Sequence, residues 1–157
     1  MTVSQYPWQQ ESIIRHTQRL LHSFQHWTGN ALLQVEGDPE LLAKTLFEAP
    51  FVVVSHGTQP DPILNYGNQT ALHLWQMNWH QFIQTPSRLT AEPIEQADRD
   101  RLLQRAKAQG FIDDYEGVRI SSQGQRFHIT QVILWDVLDE AGNRCGQAAT
   151  FNRWTML

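Results

Sequence analysis

Apolar residues along this chain follow two kinds of period, and each kind predicts its element. Between Gln9 and Trp27 they stand at Ile13, Ile14, Leu20, Leu21, Phe24 and Trp27. Counted from Ile13, offsets of seven, eight, eleven and fourteen put them on one stripe of an amphipathic helix, which Gly29-Asn30 stops. The stripe needs a surface: the chain's own sheet, the same helix of a second copy, or both. Asp38-Pro39-Glu40 starts a second helix, with a capping carboxylate, Pro at the first position and an acid near the positive end. It must stop before Pro50, which disfavours a helical residue in front of it. Phe51 to Ser55 (FVVVS) is β-branched and continuous, as in a strand buried on both faces. A turn-rich run, His56 to Pro62, leads to a second short strand at Ile63–Tyr66.

Asn68 can cap a helix through Ala71, Leu72, Leu74 and Trp75. Met77 to Pro93 has no dominant period and reads as short helical turns broken at Pro86 and Pro93. A helix is expected over Ile94–Gln109, with Leu102, Leu103 and Ala106 inward and Gly110 as its stop. Period two then takes over. Tyr115, Gly117, Arg119 and Ser121 alternate with Glu116, Val118 and Ile120. After a turn at Ser122-Gln123-Gly124, one face should carry Phe127, Ile129, Ile133, Trp135 and Val137, with Gln131 as its polar member. The other should carry Arg126, His128, Thr130, Val132, Leu134 and Asp136. Asp139 to Asn143 makes a hairpin turn, and the last strand, Arg144 to Trp154, contains small residues (GQAAT) that allow close packing. Helices, two strands, short helices and three strands predict an α+β fold with one mainly antiparallel sheet of five strands.

Composition narrows the class. At 157 residues, 41% hydrophobic and with six Trp, the chain can bury a core as one domain. Its net charge of -4 and the absence of a basic stripe argue against autonomous nucleic-acid binding. No apolar run reaches the roughly 18 residues of a spanning helix. The start, MTVSQYPWQQES, has neither a charged n-region nor an apolar h-region, and the lone Cys145 forms no internal disulfide. A soluble cytoplasmic protein is expected.

The order of elements resembles a PAS domain, and particular runs are closer still to the PAS-like MEKHLA family. These are ILNYGNQTAL at 63–72, PSRLTAEP at 86–93, GFIDDYEGVRISSQGQRF at 110–127 and WDVLDEAGNRCGQAATF at 135–151. The resemblance implies residues 50–157 as the PAS-like domain and 1–49 as a helical extension, together one compact unit. It implies a non-enzymatic sensory or regulatory module that binds a small molecule or makes a regulated protein contact. PAS domains hold ligands between the sheet and the short helices, and often dimerise through a helix before the first strand. A homodimer through the N-terminal helix is therefore expected. The family's plant members carry a homeodomain; this chain does not, so their DNA binding does not transfer.

Candidate residues follow from both lines. His22 and His26 share a helix face but lack a third metal ligand, and His73 and His80 share none with certainty of period. Haem-binding PAS domains place an axial His on the long helix before the meander, and here that helix has none. Covalent flavin photochemistry needs an Asn-Cys-Arg-Phe motif, which is missing, and Cys145 follows a hairpin turn. Asp113 and Asp114 are read as structural, one of them pairing with Arg88 or Arg119. The polar group Ser87, Arg88, Thr90 and Glu92 either pins the helices to the sheet or closes a pocket mouth. An inward Arg119 needs an anionic partner, either an internal acid such as Asp114 or a ligand carboxylate. The expected pocket lining is Asn65, Tyr66, Trp75, Arg119, Gln131, Trp135 and Gln147. An enzymatic alternative uses His56 or His128 as general base, without a matching nucleophile in the sequence. A further alternative is an interaction module with a filled core.

Overall fold

The first apolar stripe folds as α1 (Glu11–Thr28), ended by Gly29 in the left-handed conformation at φ 75°. The computed structural model describes residues 6–91, 101, 104–105 and 109–157. Helix α2 (Pro39–Phe47) begins as its sequence signals: the Asp38 side chain accepts from the Leu41 amide at 2.8 Å, and Pro39 takes the first position. Strands β1 (Val52–His56) and β2 (Leu64–Gly67) pair, and the short helices α3 (Gln69–Trp75) and α4 (Trp79–Phe82) follow, then a 3-10 turn at Ser87–Thr90. Strands β3 (Phe111–Ile120), β4 (Arg126–Leu138), β5 (Arg144–Phe151) and β6 (Trp154–Met156) complete the chain. The helix expected over 94–109, with Leu102, Leu103 and Ala106, lies almost wholly outside the described residues, as does Glu92.

The sheet runs β2-β1-β5-β4-β3, antiparallel at every pairing, with β6 also on β4. Among the described residues the expected five strands become six. The chain leaves β5 after Phe151 and returns to pair Trp154–Met156 with Phe127–Ile129. The cause is a mismatch in length. β4 is 13 residues long but β5 pairs only with Ile133–Leu138, so β6 covers the edge that would stay open.

Both faces of the sheet are covered. On one side lies α1, with Leu20 and Phe24 buried and the Phe24 ring edge-on to Trp135 at 5.0 Å. The Trp27 indole donates to the Asp136 carbonyl at 2.8 Å, and Ser23 Oγ accepts from the Leu138 amide at 2.7 Å. The stripe is thus spent on the chain's own sheet. On the other side lie α3, α4 and the 3-10 turn.

Two bulges correct the face assignment on the long hairpin. Tyr115 pairs with Val132 but Gly117 with Ile129, so β4 carries one extra residue, and Gln131 adopts φ 54°. Parity reverses there: Phe127 and Ile129 share the short-helix side with Val132 and Leu134, while Trp135 turns to α1. Likewise Ile112 pairs with Leu134 and Tyr115 with Val132, which leaves the extra residue on β3. Asp113 and Asp114 are consequently both exposed, not on opposite sides as plain alternation requires.

Gly110 shows how closely the layers approach. Its φ is +86°, and a Cβ there would stand 2.2 Å from the Trp27 ring. Gly110→Ala is expected to lower stability in urea denaturation by about 2–4 kcal/mol, combining left-handed strain with a clash. Gly124→Ala, equally left-handed at φ +82° but with nothing within 4 Å, should cost only about 1 kcal/mol. Equal losses at the two would contradict the Trp27 contact.

Candidate functional site

Between the sheet and the short helices lies a cavity of about 50 Å³. Its walls are mostly apolar (Leu64, Trp75, Phe82, Ile129, Val132, Leu134, Phe151), and His56, Ser87, Thr90, Arg119 and Gln147 bring polar groups to it. Local chemistry fixes its roof. Asn68, fully buried, caps α3 through Ala71 N at 3.2 Å and receives the Val53 amide at 3.1 Å, while its own amide donates to the carbonyls of Leu46 and Phe51 at 3.1 and 2.8 Å. A buried amide so fully bonded locks α2, β1 and α3 together. At the far end of α3, the Ser122 amide donates to the Trp75 carbonyl at 3.0 Å and Ser121 Oγ to Gln76 Oε1 at 2.6 Å. Trp75 is thereby held over the cavity, edge-on to Phe127 at 5.2 Å.

Arg119 reaches the same space from β3 and is only 7% exposed. Its guanidinium donates to Tyr115 Oη at 2.9 Å and to the Val118 carbonyl at 3.0 Å, and lies 5.3 Å from the Tyr115 ring centre. Gly117 makes the arrangement possible, because a Cβ there would stand 2.5 Å from Tyr115 Oη. The expected acid partner is not used: Asp114 is exposed and forms no bond to Arg119, and Arg88 meets Asp61 at 3.2 Å instead of either Asp113 or Asp114.

Of the residues expected to share one lining, Trp75, Arg119 and Gln147 do. The other four lie elsewhere. Tyr66 and Trp135 face α1, because pleat parity on β2 and the reversed parity of β4 send them there. Gln131 is exposed on its bulge, and Asn65 accepts a hydrogen bond from Ser55 on the α1 side. Ser87 and Thr90 line the cavity from the 3-10 turn, which also bridges to Pro62 through the Ser87 amide at 2.8 Å. That turn therefore both pins and lines. His56 belongs to the lining, with Nδ1 at the Gly57 carbonyl, whereas His128 sits at the surface beside Glu116. His22 and His26 line an open groove beside residues 31–36, and among the described residues no three His, Cys, Asp or Glu converge for a metal. Cys145 is partly buried, which pushes its thiol up and away from thiolate reactivity.

A His–Ser contact that the sequence did not single out lies on the α1 side. His16 Nε2 is 2.8 Å from Ser55 Oγ, and Ser55 donates to Asn65 Oδ1. With the Ser55 proton so used, its oxygen accepts, and His16 carries its proton on Nε2. A histidine that donates to serine is no base for it, and Ser55 is 1% exposed. The contact positions α1. Nearby, Tyr66 Oη and Trp135 Nε1 are buried without a partner among the described residues.

A cavity of about 50 Å³ holds a few waters or a ligand of a few heavy atoms, far below the several hundred Å³ of a pocket for a drug-sized molecule. A flavin or haem does not fit this lining. The model of the MEKHLA domain matches residues 14–156. The chain belongs to the MEKHLA domain family. Solved structures place the family's fold. The PAS domain of a protein from Colwellia psychrerythraea superposes with a TM-score of 0.64 at 14% identity, covering 75% of this chain and 95% of that one. An RNA-binding light-oxygen-voltage receptor gives 0.60 at 17%, covering 78% of this chain and 36% of the receptor. A variant of Vivid gives 0.54 at 16%, covering 78% and 90%. No curated protein sequence matches the chain. The MEKHLA domain is thus a PAS fold. Among the described residues, none of its helices is long and apolar enough to cross a membrane.

Burial, with Arg19 as a lesser cause, lowers the His16 pKa from 6.5 to about 4. The unfolded chain therefore binds a proton that the native His16 refuses. Stability is full above pH 6.5 and falls as pH drops toward 4, by roughly 3 kcal/mol from this residue. His16→Gln should flatten that part of the pH–stability curve, measured by denaturant titration; an unchanged slope would assign the pH dependence elsewhere.

Proposed function

We propose that this MEKHLA domain is a non-enzymatic sensory module that holds a small molecule in the cavity and reports its presence through α1 across the sheet. The supporting observation is a mostly apolar cavity with a few convergent polar groups, one sheet away from an amphipathic helix. β4 and β5 serve both layers. Leu134, Gln147 and Ala149 line the cavity, while Trp135 meets Phe24 of α1 and pairs with Ala148 across the strands. A ligand that binds better to one arrangement of these strands shifts the population of docked α1. A homodimer through α1 fits this reading only as the undocked state, since the helix's apolar side otherwise lies on its own sheet.

The cavity itself argues for binding over catalysis. The Thr90 hydroxyl donates to the Ser87 carbonyl at 2.7 Å and not to a base. The net charge of -4 gives no basis for extending RNA binding from the light-oxygen-voltage receptor to this chain. The single partly buried Cys145 suits a reducing cytoplasm.

A fragment screen by thermal shift on the full-length protein tests the reading. Compounds that raise Tm are expected to change amide exchange over residues 11–28, and Ala149→Leu, which fills the cavity, should abolish both effects. Hits that stabilise the protein while leaving 11–28 unchanged would remove α1 from the mechanism; no hit at all would remove the ligand.

A further inference from the structure

We propose that the cavity takes a short-chain carboxylate, anchored by the guanidinium of Arg119. The proposal rests on the ligand-binding reading above and gives it a chemical class. Arginine stays charged at any physiological pH, and a buried guanidinium without a counter-charge is costly. Arg119 is 7% exposed, yet its bonded groups are neutral: a phenol, a backbone carbonyl and an aromatic face. The acids on its own strand, Asp113, Asp114 and Glu116, are exposed, and Glu116 lies beside His128 at 3.7 Å. Two hydrogen bonds leave donor capacity in a group with five N–H.

A second donor of the lining is also unspent. Trp75, which lines the cavity, has its Nε1 buried without an acceptor among the described residues. Among the described residues the lining thus has donors to spare and one positive charge, and the partner that suits it is an acceptor-rich anion. Size and polarity narrow it further. About 50 Å³ admits only a few heavy atoms, and walls such as Leu64, Phe82 and Val132 favour an apolar tail. A monocarboxylate of two to about four carbons meets both demands by this volume measure. Inorganic phosphate, a compact oxyanion with no apolar part, does not.

Titration of full-length protein with acetate, propionate and butyrate, beside propionamide and inorganic phosphate, tests this by NMR and calorimetry. Propionate or butyrate should shift the Trp75 indole N–H and the Arg119 Nε–H resonances saturably, and propionamide should bind at least tenfold more weakly. Arg119→Gln should lose at least tenfold in propionate affinity, and Arg119→Lys should recover part of it. Equal binding of propionamide and propionate, or unchanged affinity in Arg119→Gln, overturns the carboxylate assignment while leaving a small-molecule cavity. Saturation by phosphate alone also overturns it. If no probe moves either resonance, and the fragment screen finds other cavity ligands, the carboxylate fails but the sensory reading stands. If neither finds a ligand, both fail. Should Arg119→Gln not fold, the propionate–propionamide comparison on the unsubstituted protein decides.

Discussion

One extra residue in β4 determines what each layer of this molecule touches. A strand has a period of two, so an uninterrupted β4 would put Phe127 and Ile129 on the same side as Trp135 and Val137. Phe127 and Ile129 would then join the α1 layer, and the short-helix layer would meet Arg126, His128 and Thr130 in their place. The bulge at Gln131, with φ 54°, reverses the parity midway. Phe127, under Trp75, joins Val132 and Leu134 on one side, and Trp135 meets Phe24 on the other. Without that reversal the cavity would lose Ile129, and Phe127 would not lie against Trp75.

The two layers are held by different means. The short helices are tied by polar bonds with little slack: Asn68 alone joins α2, β1 and α3, and Ser121 and Ser122 hold the end of α3 to the hairpin. Helix α1 combines apolar contact through Leu20, Phe24 and Trp27 with three polar ties to the sheet, at His16–Ser55, Ser23–Leu138 and Trp27–Asp136, and its Arg19–Glu140 pair at the surface contributes little.

Local signals in the sequence reported well on whatever is locally determined. The stripe of α1, the Asp38 cap, the Asn68 cap and the turns at Gly124 and Gly142 all depend on a few neighbouring residues, and all appear where their chemistry puts them. The failures are non-local. Gln131 is neither Gly nor Asn, so nothing in its own chemistry announces a positive φ; the register of β3 against β4 imposes it. From that one omission came the misplacing of Gln131 and Trp135 in the lining. Tyr66 and Asn65 were misplaced because a β2 of four residues has too little pattern to fix its inward face. Strand β6 escaped because Asn152-Arg153 breaks the run with no Gly or Pro to mark it. Ser87 and Thr90 were visible as a polar loop, but their place at the cavity depends on the Pro62 contact.

The buried polar groups that lack partners divide between the layers in a way that bears on function. Trp75, with its Nε1 unpartnered, and Arg119, whose hydrogen bonds among the described residues go to neutral groups, both line the cavity. On the α1 side stand Tyr66 Oη and Trp135 Nε1, where burial drives the Tyr66 phenol far upward. Each buried group without a partner costs on the order of 1–3 kcal/mol. The cavity-side cost is one that an acceptor can remove from within, with α1 still in place. The α1-side cost is relieved only if water reaches Tyr66 and Trp135, and that requires the helix to lift. Trp135 and Leu134 are neighbours on one strand, so whatever tightens the cavity wall bears directly on the helix-facing residue whose burial is least well compensated. The sheet therefore sits between two layers that each hold a buried polar group without a partner among the described residues, and the proposed population shift needs that coupling across the sheet.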